Sequence, residues 1–137
     1  MRKILIAITF GLGIGLANAI VSSPTFAHHS TLMFDRSKSE TIVGTITEFQ
    51  WTNPHVIIWL NRDAEDDAEP VRWAIETSSP GNLRRVGWSK SSLTPGDRVS
   101  IDLNPLRSGQ PAGRLLKATL LDTGEELSFG YLPEQLE

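Results

Sequence analysis

From Glu40 onward, apolar and polar residues alternate with a period of two in short runs separated by turn-forming residues, the pattern of half-buried β-strands. The first run, Glu40 to Trp51, carries Ile42, Gly44 and Ile46 on one face and then Phe49 and Trp51 on the opposite parity. A parity switch within one strand predicts a bulge near Glu48, with Gly44 permitting a sharp bend. Thr52-Asn53-Pro54 turns the chain into a second run, His55 to Leu60. There Val56, Ile58 and Leu60 share one face, and His55, Ile57 and Trp59 the other. The acidic stretch from Asn61 to Pro70 reads as an exposed hairpin loop. A third run, Val71 to Glu76, is expected to point Val71, Trp73 and Ile75 inward and Arg72 and Glu76 outward.

Ser79 as N-cap, Pro80 at the first helical position and Gly87 as stop predict one short helix over 80–86. Thr94-Pro95-Gly96-Asp97 fits a type II turn. A fourth strand, Arg98 to Leu103, points Val99, Ile101 and Leu103 inward. After a loop from Asn104 to Gly113, a fifth strand runs from Arg114 to Leu121, and a short last strand lies near Leu127 to Phe129. Three strands, one helix and two further strands is the element order of an OB-type barrel. The expected fold is therefore all-β with one short helix, a small OB-like five- or six-stranded antiparallel β-barrel. A generic antiparallel sandwich is the alternative.

The region before this domain decides its address. Arg2 and Lys3 precede an uncharged run from Ile4 to Val21, followed by Pro24 and the small residue Ala27, the order of a secretory signal peptide. The alternative, a membrane anchor, sits at the lower edge of bilayer-spanning length. Cleavage after Ala27 is expected, with Ala17-Asn18-Ala19 as the competing site. The division is thus a signal peptide at 1–27, an N-terminal arm at 28–39 and the barrel domain at 40–137, with export to the periplasm and no stable membrane anchor after cleavage.

Loss of residues 1–27 leaves 11 basic against 16 acidic residues, a balance that disfavours nucleic acid as a partner. The absence of cysteine removes disulfides, thiolate nucleophiles and zinc–thiolate sites. No G-x-S-x-G elbow surrounds a serine. Gly11, Gly13 and Gly15 mimic a phosphate loop only inside the signal segment. No catalytic residue is assigned.

Two candidate sites remain. The ligand face of an OB barrel lies on strands two and three, flanked by the loops joining strands one and two and strands four and five. Here that face gathers Trp51, Asn53, His55, Trp59, Arg72 and Glu76, with Arg107, Gln110 and Arg114 from the second loop. An aromatic platform ringed by polar groups of both signs suits a small anionic or ring-bearing ligand; the alternative is that Trp51 and Trp59 merely cover the barrel. The second site uses the three histidines. Cleavage after Ala27 would give His28 a free amine beside its imidazole, His29 a second imidazole, and His55 a third. Such a nitrogen-rich set suits copper in tetragonal geometry. Zinc would need a carboxylate as well, Asp35 or Glu76.

Ala27-His28-His29-Ser30, Phe34-Asp35, Gly44-Thr45-Ile46, Trp51-Thr52-Asn53-Pro54-His55, Trp73-Ala74-Ile75-Glu76, Leu83-Arg84-Arg85-Val86-Gly87-Trp88 and Pro95-Gly96-Asp97 together resemble a family of small exported Gram-negative bacterial proteins classed as a domain of unknown function. The resemblance implies a periplasmic location and supplies no activity. The expectation is a periplasmic, non-catalytic binding module for a small ligand, binding copper through its N-terminal histidine. A metal-free accessory protein docking on a larger periplasmic partner through the aromatic face is the alternative, and a copper oxidoreductase a third reading.

Overall fold

The computed structural model describes residues 30–64 and 68–128. Residues 1–29, and with them the expected signal segment, His28 and His29, lie outside them. Among the described residues no helix is long and apolar enough to cross a membrane.

Six strands and one helix follow a short 3-10 turn, Ser30–Met33: β1 (Glu40–Gln50), β2 (Ile57–Arg62), β3 (Val71–Glu76), α1 (Pro80–Arg85), β4 (Arg98–Pro105), β5 (Ala112–Leu120) and β6 (Glu126–Ser128). The sheet runs β3-β2-β1-β4-β5-β6, and a parallel pairing of β3 with β5 closes the first five strands into a barrel. The expected OB-like architecture is thereby met, with β6 as an added strand on β5.

The local signals act as their chemistry dictates. In β1 the register slips between Ile46 and Glu48 opposite β2. This bulge returns Phe49 and Trp51 to the core side, where both pack against the buried cluster. Gly44 is required because a Cβ there would run into the Asn61 carbonyl and meet the Arg62 Cα at 3.0 Å. Ser79 caps α1 by accepting from the Asn82 amide, and Gly87 leaves the helix at φ 94°. The Asp97 amide closes the turn on the Thr94 carbonyl at 3.1 Å, with Gly96 at φ 100°.

Ile42, Ile46, Ile58, Leu60, Ile75, Val99, Ile101, Leu103 and Leu115 fill the barrel, and Leu83, Trp88 and Leu93 plug it from the helical side. Burying each aliphatic side chain contributes about 1.5–3 kcal/mol, so these residues, rather than any exposed ion pair, hold the fold.

Two expectations need correction. Val71 is half-exposed, not inward. The β3–β5 pairing spans only Ala74 to Glu76, so the first half of β3 faces an open gap beside Pro111 and Gly109, which Val71 and Trp73 line. Secondly, β4 continues through Asn104 and Pro105, and β5 begins at Ala112, shortening the loop between them. Asn104 is buried there because its side-chain amide donates to the Lys38 carbonyl at 2.7 Å. The arm is docked as well. Phe34 is buried and bridges Leu106, the Asp35 amide donates to Pro105 at 2.8 Å, and the Arg107 amide donates to Met33 at 2.9 Å.

Candidate functional site

The N-terminal end of β2 is stapled to the C-terminal end of β3. The Val56 amide donates to the Ser78 carbonyl, and both the amide and the hydroxyl of Thr77 donate to the Val56 carbonyl, each at 2.9 Å. Val56 and Thr77 are buried, so water does not compete with these bonds. With Val56 pointing in, His55 emerges beside Glu76, whose side chain points outward by strand alternation. His55 Nδ1 lies 2.8 Å from Glu76 Oε1. A carboxylate only accepts, so Nδ1 carries the proton, the tautomer whose neutral form has its lone pair on Nε2. Nε2 has no partner among the described residues, and the His55 side chain is 40% exposed.

Beside this pair the outer face of β1, β2 and β3 carries a second constellation. The Arg72 guanidinium sits 4.5 Å from the Trp59 ring centroid and reaches Glu48 Oε2 at 3.3 Å. The Trp59 indole donates to Gln50 Oε1 at 3.4 Å. One face of Trp59 is therefore occupied by Arg72. Glu48 and Gln50 belong to this surface although residue types alone did not single them out. The bulge was the available signal, since a parity change after Ile46 turns both residues outward.

The remaining expected residues divide between this face and other places. Trp51 is half-buried against the core, edge-on to Phe49 at 5.5 Å, with Arg84 over its ring at 5.8 Å. Its indole nitrogen is buried with no hydrogen-bond partner among the described residues. Asn53 is exposed in a turn whose Asn53–Pro54 bond is cis. Arg114 is the register partner of Glu76 across β3 and β5 and is engaged in an interaction of its own. Arg107 holds the arm instead of facing the ligand surface: its Nε donates to Leu32 O at 3.2 Å and its Nη1 lies 3.6 Å from Asp35. Gln110 borders a polar recess shared with Asp35, Lys38 and Trp73.

Asp35 belongs to the arm as well. The Ser37 hydroxyl donates to it at 2.6 Å, and this bond, aided by the Ser37 amide, Arg107 and Lys38, holds its carboxyl below the usual carboxylate range. Of the two carboxylates considered beside histidine, Glu76 meets His55, while Asp35 is committed elsewhere. Among the described residues no three His, Asp or Glu side chains gather as a metal site. His28 and His29 lie outside those residues.

A family model described as a family of unknown function, DUF6152, matches residues 17–115. No curated protein matches the chain. Among solved structures, the mitochondrial single-stranded DNA binding protein Rim1 of S. cerevisiae is similar at a TM-score of 0.48 and 14% identity, over 61% of this chain and 93% of that one. The barrel assignment stands on the strand order and closure described above and takes nothing from that likeness.

Proposed function

We propose that this chain, which belongs to DUF6152, a family of unknown function, is an exported, non-catalytic binding module of the periplasm that holds a copper ion on His55. The observation that carries this reading is the 2.8 Å contact of His55 Nδ1 with Glu76, which leaves Nε2 as an oriented ligand nitrogen on the surface. A carboxylate on the far nitrogen of an imidazole fixes its tautomer, orients the ring and raises its basicity, the usual second partner of a metal-ligating histidine. With no cysteine in the chain, imidazole is the softest strong donor it owns, and His28 and His29 are the others. Titration with Cu(II), followed by electron paramagnetic resonance, tests the reading. Imidazole nitrogen couplings and tight binding should both diminish in His55→Ala; weak binding indifferent to that substitution would defeat it.

A second reading rests on the Trp59–Arg72–Glu48 stack, which is held on the surface by its own members. Such a rigid aromatic–cation pair suits docking on a larger periplasmic protein. Capture of a partner that depends on Trp59 and survives chelator would favour docking over copper.

A further inference from the structure

We propose that the barrel mouth at the Val71 end of β3, the end away from His55, binds a small carboxylate with an apolar body. Its charge sits on Arg62 and its body lies against Trp73. The site is separate from the copper reading and does not depend on it.

The recess follows from where the sheet closes. β5 meets β3 only from Ala112, opposite Ala74, and the chain enters β5 through a tight turn in which the Leu106 amide donates to Ala112 and the Gly109 amide to Leu106. Val71 to Trp73 therefore run on past the last β5 partner. Between them and the turn lies a recess of about 450 Å³, bordered by Arg62, Ala64, Val71, Trp73, Gly109 and Pro111. Ligand pockets span roughly 300–1,000 Å³ and favour the mouths of β-barrels.

Arg62 stands at this mouth because of strand parity. It follows Ile58 and Leu60 on the core-facing side of β2, directly across from Val71 as Leu60 is from Trp73. The side chain is half-buried, with its guanidinium 5.8 Å from the Trp73 ring centroid, within cation–π range. Arg72, Arg98 and Arg107 each meet a carboxylate. Arg62 meets neither a carboxylate nor another hydrogen-bond acceptor among the described residues. A guanidinium carries five donors in a fork shaped for a carboxylate, and drawing it part-way out of water with those donors unused is unfavourable. An anion entering the recess relieves that penalty.

The acidic groups nearby do not select a cation instead. Asp63 is held by both arms of Arg98, and Glu69 is exposed at the rim, where solvent screens it. The walls set the rest of the ligand. Val71, Trp73, Pro111 and Ala64 are apolar, so a bare inorganic anion leaves them wet, whereas a chain or ring of several carbons covers them.

Three probes with one body and three charges test this: octanoate, octanol and octylammonium, titrated into the protein recovered after export and followed by calorimetry and by amide and indole nuclear magnetic resonance. Octanoate should bind tightest and shift the Trp73 indole and the Gly109 amide. Arg62→Gln should weaken octanoate about tenfold or more, leave octanol unchanged, and remove the preference for the anion; Arg62→Lys should keep that preference in part. Val71→Trp guards against an Arg62 variant that fails to fold. Val71 is already half-exposed, so the larger ring fills the recess from its rim and should abolish octanoate binding with Arg62 intact. Octanoate binding should also survive His55→Ala. Octanoate bound no tighter than octanol, octylammonium bound tightest, or shifts centred on Trp59 instead of Trp73 would each overturn the site, and would show that Arg62 only covers the Trp73 ring.

Discussion

Arg98, at the start of β4, grips Asp63, just past the end of β2, through both guanidinium arms: Nη1 reaches Oδ1 at 2.6 Å and Nη2 reaches Oδ2 at 2.7 Å. The fork passes over β1, which pairs with both strands, and the Asp63 amide donates to Val43 beneath it at 2.8 Å. Arg98 is thus a strut across three strands at the mouth of the barrel. Its hydrogen bonds, and then its charge, hold the Asp63 carboxyl below the usual range. A depressed carboxylate contributes stability that is complete above its ordinary value of about 3.9 and disappears as pH falls through the lower folded value. Asp63→Asn should therefore lower the melting temperature modestly at neutral pH, because the pair is exposed and screened. The gap between variant and wild type should close as pH is lowered from about 5 toward 2. Thermal melts across that range check this, and a gap independent of pH would show that Arg98 stabilises by packing alone.

Gly44→Ala should cost about 3 kcal/mol, because the new methyl group meets backbone at Asn61 and Arg62 and neither can retreat without breaking the β1–β2 ladder. Urea unfolding should show a lower midpoint with unchanged slope. A neutral result would mean that β1 bends elsewhere.

Trp88 donates its indole hydrogen to the Ser128 carbonyl at 2.9 Å, tying β6 to the segment after the helix. Trp88→Phe keeps most of the ring in the core but removes this bond, a loss of about 1 kcal/mol. Amide exchange should accelerate in Glu126–Ser128 while β1 to β5 stay protected. Uniform acceleration through the barrel would show that the ring's packing, and not its hydrogen bond, is the main contribution.

Glu76→Ala should weaken copper binding about 10- to 100-fold, whereas Glu76→Gln, whose side-chain oxygen still accepts from Nδ1, should retain most of the affinity. Calorimetric titration of both variants separates orientation of the imidazole from simple negative charge. Equal loss in the two would assign the effect to charge.

Much of the barrel could be read from alternation, because each strand has one face on a single core and turn residues mark its ends. The bulge near Glu48, the cap at Ser79 and the exit at Gly87 each follow from steric demands of one residue type. Val71 could not be read that way: it keeps the parity of Trp73 but stands where β3 has no partner on the β5 side, and closure is a property of the whole sheet. Phe34 was equally hidden, as Leu32, Met33 and Phe34 stand in a row and a run of three has no period to show which of them is buried. On the candidate face, alternation alone turns His55, Trp59, Arg72 and Glu76 outward. What it could not give was who holds whom, since the contacts of Arg72 with Glu48 and of Arg98 with Asp63 span 24 and 35 residues.

The arm is fastened mostly through backbone. Arg107 and Asn104 take the carbonyls of Leu32, Met33 and Lys38, groups that every amino acid supplies, while the Leu32 and Met33 side chains stand in water. These positions are consequently free to drift in sequence without loosening the strap, provided Phe34 keeps its seat. The stretch Ser30–Met33 can be rewritten almost at will, its length mattering more than its lettering.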